Sequence, residues 1–175
     1  SDIAGNNWIT LRGARPDTVI IGGHLDSVPN GGWLDGPLGV LAGVEALCRF
    51  KGTIPPVTLA VVDFADEEGA RFSRSLLGSS AASGSLMPDS VRALVDRHGA
   101  RLVDVLAENG VDLNRMPEAR QALDDRQPRA YLELHIEQGP VLEAMGRSAG
   151  AVIGTYGVER HLLRFVGQAA HSGST

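Results

Sequence analysis

The chain has 175 residues, of which 43% are hydrophobic, 21% charged and 5% aromatic, a balance that excludes an intrinsically disordered chain. At this length roughly 70% of the unfolded surface is buried on folding, so a core forms without disulfides or a structural metal, and any metal is predicted to be functional. The 21 acidic and 16 basic residues give a formal charge of -5, and no basic stripe tracks phosphates, which argues against nucleic acid as a partner.

In chain order, Asp17 to Leu25 (DTVIIGGHL) is a β-branched run bounded by Pro16 and by Gly-rich sequence, and it reads as a buried strand. VPNGGWLDGPLG is a loop leading into an apolar helix over about Val40 to Phe50, and Val57 to Phe64 (VTLAVVDF) is a second continuous apolar strand. Two such strands joined by a helix imply a right-handed crossover. ADEEGARF follows as a carboxylate-rich loop, then a Gly- and Ser-rich stretch from Leu77 to Ser85. Between Pro88 and Gln127 the spacing of Val91, Leu94, Val95, Leu102, Val105 and Leu106 predicts two short amphipathic helices. Ala130 to Ile136 (AYLELHI) reads as a third strand, and Ala149 to Ile153 and Glu159 to Val166 as two more. Buried strands alternating with helices predict an α/β fold, a mostly parallel sheet sandwiched by helices.

Cys48, the single cysteine, fits a reducing compartment and reads as a small core residue on a helix face. No apolar run approaches 18 residues, and SDIAGNNW lacks a basic region followed by an apolar one. The expectation is a soluble cytoplasmic chain with no membrane partner.

Ligands of open parallel sheets collect at the carboxyl ends of the strands, and each of the three best strands ends in metal-ligating residue types. The first ends in His24 and Asp26, with Asp35 in the following loop. The second runs into Asp66, Glu67 and Glu68, and the third ends in His135 and Glu137. Asp26, two residues after His24, can orient the imidazole. Taken singly, His24 reads first as a satisfied histidine at a strand end, while Asp35 reads equally as an Asx-type turn residue and Glu67–Glu68 equally as a solvated turn. Converging on one sheet edge, they need a cation to offset their charge. Imidazole with carboxylate favours zinc, manganese, cobalt or nickel over calcium. His98 and His161 have no partner cluster and read as structural or exposed, and Trp8 and Trp33 as packing residues, with Trp33, in the ligand loop, alternatively a wall of the pocket.

HLDSVPNGGWLDG, DEEGARF, ELHIEQGPVLE and AAHSGST, in this order, resemble the metal-dependent amidase and carboxypeptidase superfamily. GNNW and LLGSSAASG extend the likeness over essentially the whole chain. More narrowly the chain is similar to the carbamoylase branch, which holds N-carbamoyl-L-amino acid hydrolases, β-ureidopropionase-like enzymes and allantoate amidohydrolases. ELHIEQGP is the most specific element, because the peptidase and aminoacylase relatives usually place a carboxylate where His135 stands. Leu34 stands where the branch often has Phe, and Pro37 and Leu38 are mildly unusual, but none of these departures removes a ligand.

The resemblance implies two divalent metal ions, zinc first, with manganese, cobalt or nickel as alternatives. His24 and His135 would bind one metal, Asp35 would bridge both, and Glu68 would bind the second. Glu67 would be the general base, Asp26 would support His24, and His171 would contact the substrate carbonyl oxygen. Arg160 would contact substrate as well. The implied reaction is hydrolysis of N-carbamoyl-L-amino acids or related ureido acids to amino acid, ammonia and carbon dioxide. An aminoacylase or dipeptidase of the same superfamily and a non-catalytic metal-binding fragment are the alternatives. Enzymes of this type are about twice as long, so residues 1–155 are read as an incomplete catalytic domain and 156–175 as the start of a lid and dimerisation domain. A final histidine ligand has no counterpart here, and these 175 residues alone are predicted to be inactive. A homodimer is expected at full length.

Overall fold

The computed structural model describes residues 1–155 together with 157, 163, 166–171 and 173. The chain divides into two compact units, Ser1–Ile136 and Glu137–Thr175.

The first unit holds a four-stranded sheet of β1 (Asn7–Leu11), β2 (Thr18–Gly23), β3 (Thr58–Asp63) and β4 (Pro128–Leu132), in the order β1-β3-β2-β4. β2 runs parallel to both β3 and β4, while β1 is antiparallel to β3. The sheet is therefore mostly parallel with one antiparallel edge, as the α/β reading requires. β2 and β3 are the strands read from their apolar runs, each trimmed by one or two residues at the ends. The third strand starts and stops earlier than Ala130–Ile136, so His135 stands three residues beyond the end of β4, in the loop. β1 (NWITL) is an addition that the apolar pattern does not reveal: it is a short edge strand with mostly exposed side chains.

Helix α1 (Pro37–Cys48) connects β2 to β3. Pro37 starts it at a position where the missing N–H costs nothing. Gly43 lets it approach the sheet, since a Cβ there would lie 2.9 Å from Val61 and 3.2 Å from Ile21. Ile20, Ala60 and Val62 point to the opposite face, where Trp8, Phe64 and Leu123 pack on them. The two faces alternate along each strand because successive side chains point in opposite directions.

After β3 come α2 (Leu77–Ser83), α3 (Pro88–Val91), α4 (Leu102–Glu108), a 3-10 turn at Met116–Glu118 and α5 (Ala119–Asp124). Their apolar faces, with Phe72, Leu86 and Leu113 from the connecting segments, form one cluster that includes Leu77, Leu102 and Met116. Each fully buried Leu or Met contributes roughly 1.5–3 kcal/mol, enough to hold these short helices that would not persist in isolation. The two predicted amphipathic helices are thus a set of shorter ones.

The second unit contains α6 (Val141–Ala144), whose first amides at Val141 and Leu142 donate to the Glu137 carboxylate at 3.0 and 2.8 Å. Ala149–Ile153, expected as a strand, has no regular structure and no pairing partner among the described residues. The candidate strand Glu159–Val166 lies mostly outside the described residues.

Two packing expectations need correction. Cys48 is exposed, because it falls at the carboxyl end of α1, beyond the turns that meet the sheet. Trp33 is 77% exposed, because its loop stands clear of the sheet, whereas Trp8 is half-buried, edge-on to Phe64 and under the Arg126 guanidinium at 4.0 Å.

Candidate functional site

Since β2 lies between β3 and β4, the carboxyl ends of all three strands are neighbours. His24 follows β2 directly. The pairing continues past the strand ends, with the Phe64 amide donating to the Gly23 carbonyl and the Leu25 amide to Asp63 Oδ1, both at 2.9 Å. On the other side Ile21 stands opposite Leu132, and the same register carried three residues onward brings His135 level with His24.

His24, Asp35 and Glu68 each offer a ligand atom within 4.8 Å of the others. His24 and Asp35 are buried. The Nδ1 of His24 lies 2.8 Å from the Asp26 carbonyl oxygen. That oxygen can only accept, so Nδ1 carries a proton and Nε2 is the atom available to a cation. His135 is arranged alike, its Nδ1 2.8 Å from the Ile136 carbonyl, and its Nε2 is 3.0 Å from Asp35 Oδ1. An imidazole lone pair and a carboxylate oxygen at that separation need a proton or a cation to hold them together. Donors on one zinc, each about 2.0–2.2 Å from the ion, sit roughly 3–3.5 Å apart. The donor set therefore fits a transition metal.

Asp26 does more than face His24. Its Oδ1 accepts from the Glu67 amide at 3.1 Å and its Oδ2 from the Glu68 amide at 2.9 Å, while its contact with His24 Nδ1 is longer, 3.5 Å. One carboxylate thus ties the end of β2 to the loop after β3. The Asp26 carboxylate, against the opposing effect of burial, pushes His24 up to about 9. Burial pushes Asp26 itself upward, but His24 and the two amides outweigh it and hold its carboxyl below the usual range.

Glu67 is half-buried and faces differently from Glu68. Its Oε1 accepts from Ser79 Oγ at 2.7 Å, and its Oε2 is buried with no hydrogen-bond partner among the described residues. Burial raises its pKa, opposed in part by Ser79, and burial also raises that of Asp66.

The loop carrying these carboxylates is closed at its base by Gly78 N donating to Ala65 O at 2.8 Å and Leu76 N to Glu67 O at 2.8 Å. Asn6, 0% exposed, pins both sides of that closure. Its Oδ1 accepts from the Ala65 amide at 3.0 Å, and its Nδ2 donates to the Gly78 carbonyl at 3.2 Å and to Asp2 Oδ2 at 3.0 Å. Asn6 and Ser79 are the residues that reading the sequence missed. Each works through bonds to a distant part of the chain, and GNNW and LLGSSAASG carry no metal-ligating residue to flag them.

The sequence profile of peptidase family M20/M25/M40 matches residues 20–170. The chain belongs to that family. Among its relatives is the N-carbamoyl-L-amino acid amidohydrolase of Geobacillus stearothermophilus, 42% identical over 99% of this chain and 43% of the relative. The allantoate amidohydrolase of Escherichia coli K12 is 38% identical over 99% of this chain and 42% of its own length. A solved amidase of the hydantoinase/carbamoylase family from Burkholderia phymatum superposes with a TM-score of 0.63 at 37% identity, over 83% of this chain and 35% of that one. The chain therefore spans less than half the length of these relatives. Of the remaining residues expected in this M20 site, Arg160 lies outside the described residues, as does His161. His171 belongs to the second unit, where its Nδ1 accepts from the Gly173 amide at 3.2 Å. His98 is exposed beside Arg97, as read from its lack of partners.

Proposed function

We propose that this M20 chain carries the metal centre of an amidohydrolase that cleaves N-carbamoyl-L-amino acids or related ureido acids, with water, to amino acid, ammonia and carbon dioxide. The observation that carries the reading is the pairing of a cluster that could hold a metal ion, His24, Asp35 and Glu68, with an adjacent carboxylate whose Oε2 is buried and has no hydrogen-bond partner among the described residues. The substrate class is supported by the names of the two relatives.

His24 and His135 would hold one divalent ion, Asp35 would bridge, and Glu68 would hold a second, with zinc preferred and manganese, cobalt or nickel fitting the same donors. When bound, the cations supply the positive charge that polarises the carbonyl and makes the attacking water more acidic. Glu67 takes the proton of that water and returns it to the departing nitrogen, ending in its starting state. Its neighbour can bind metal while Glu67 does not, because Ser79 draws its carboxylate aside. Asp26 keeps both glutamates and His24 in register. His171 and Arg160 are assigned to the substrate, His171 donating to its carbonyl oxygen. The division at 155/156 into catalytic domain and lid, a homodimer and a cytoplasmic location belong to the same proposal.

Replacing Glu67 with Gln in the intact, metal-loaded protein tests it. Ammonia release from a panel of N-carbamoyl-L-amino acids and allantoate should fall by about 100-fold or more, with metal content unchanged. Loss of metal would show that the roles of Glu67 and Glu68 are exchanged. If the unaltered protein releases ammonia from no member of the panel, the amidohydrolase reading is wrong.

A further inference from the structure

The two oxygens of Glu67 stand in different surroundings. Oε1 accepts the Ser79 hydroxyl at 2.7 Å, and the Ser79 backbone amide also acts on the carboxylate, whereas Oε2 is buried and has no hydrogen-bond partner among the described residues. A buried acceptor left without a donor is costly, and a catalytic role is one reason for such an atom to be kept in a site. The other end of the bond is also held. Ser79 is the third residue of α2, and the residue before it is bonded through both backbone groups: Gly78 N donates to Ala65 O at 2.8 Å and Gly78 O accepts from Asn6 Nδ2 at 3.2 Å. Glu67 is fixed at its backbone too, its amide donating to Asp26 Oδ1 at 3.1 Å and its carbonyl accepting from Leu76 N at 2.8 Å. Glu67 is anchored at its main chain and Ser79 directly follows an anchored residue, so the hydroxyl acts on the carboxylate's torsion angles and not on its place in the fold.

We propose that Ser79 is a positioning residue for Glu67: its hydroxyl holds Oε1, which turns Oε2 toward the reacting water and makes it the one oxygen that handles the proton. This rests on the reading of Glu67 as general base. As the new carbon–oxygen bond forms, Oε2 takes the proton of the water, and as the carbon–nitrogen bond breaks it gives that proton to the leaving nitrogen. Ser79 keeps its own hydrogen throughout. Without the bond, Glu67 samples orientations in which neither oxygen meets the water squarely.

The test compares Ser79→Ala, Ser79→Thr and Glu67→Gln in the intact, metal-loaded protein, with ammonia release, metal content and crystal structures as readouts. Ser79→Ala should lower kcat by about 10- to 100-fold, the loss expected of a misplacement near 1 Å, with KM and metal content unchanged and more than one Glu67 orientation in the crystal. Ser79→Thr, which keeps the hydroxyl, should recover kcat to within about threefold of the parent. A parental kcat in Ser79→Ala, a single unchanged Glu67 orientation in its crystals, or a loss carried wholly by KM or metal content would overturn the proposal. A Thr variant no better than the Ala variant would also overturn it. Should Glu67→Gln retain activity, the base assignment itself falls, a failure distinct from that of Ser79.

Discussion

His24 has its ring nitrogens committed differently, Nδ1 to Asp26 and Nε2 toward the cluster it forms with Asp35 and Glu68, and this sets a pH dependence that metal should remove. In the metal-free chain its pKa rises from 6.5 to about 9, chiefly through the Asp26 carboxylate. A raised pKa in the folded state means that the stability gained from the pair is fully present below 6.5 and is lost as the pH rises through about 9. The denaturation midpoint of the metal-free chain should therefore fall across that window, and Asp26→Asn should flatten the slope. Metal ligation requires the neutral imidazole, so loading below pH 9 expels a proton and affinity climbs with pH by about tenfold per unit for one proton. In a zinc-saturated chain this slope should vanish, because neither the ligated nor the unfolded imidazole holds the extra proton between pH 6.5 and about 9. A midpoint independent of pH in the metal-free form would refute the role given to the His24–Asp26 pair. Reading the sequence found this pair from its spacing alone, but not that the Asp26 carboxylate makes its shorter bonds to the Glu67 and Glu68 amides, 41 and 42 residues away.

At the level of elements, the turn from β2 into α1 presses backbone against His24, one of the proposed ligands. Gly36 has φ +89, and a Cβ built on it would lie 2.4 Å from Cε1 of the His24 ring. Gly52, at the far end of the same helix, has φ +81 with nothing within 4 Å of its Cβ position. Alanine at either position pays the left-handed cost of about 1–2 kcal/mol, but only at Gly36 must a ligand ring also move. Urea denaturation should show Gly52→Ala destabilised by that amount with metal affinity intact, and Gly36→Ala destabilised further with metal affinity reduced at least about tenfold. Equal effects on the two variants would contradict the packing argument. The same region explains what was legible. β2, α1 and β3 announce themselves because a strand buried on both faces is a continuous apolar run and a helix over it starts at Pro and is flanked by Gly. β1 does not, since an edge strand with exposed side chains has no apolar pattern to read. Ala149–Ile153 errs the other way: an apolar run of that length is a strand only where a partner strand lies beside it. His24, Asp35, Glu68 and His135 could be named because their side chains are of metal-ligating types, while Asn6 and Ser79, ordinary polar residues, bear on the cluster only through where the folded chain puts them.

For the whole molecule, the formal charge of -5 is unevenly distributed: Asp26, Asp35, Asp66, Glu67 and Glu68 lie in the loops that follow β2 and β3. Without a cation, the folded state must hold these carboxylates together beside a histidine, and the unfolded chain need not. Any ion that binds only the folded cluster stabilises it by mass action, by about 2.7 kcal/mol at a free concentration one hundred times Kd. For a chain of this size each kcal/mol moves Tm by about 2–4 °C, so saturating zinc should raise Tm by about 5–10 °C. The ion should matter, because nitrogen from His24 and His135 suits zinc, manganese, cobalt or nickel, whereas calcium seeks an all-oxygen shell. Calcium at the same concentration should leave Tm within about 2 °C of the chelated chain. His24→Gln should lose most of the zinc shift and Glu67→Gln should keep it, separating a ligand from its unligated neighbour. An equal shift with calcium would mean that the ion is only screening surface carboxylates, and that the cluster at the strand ends is not a metal centre.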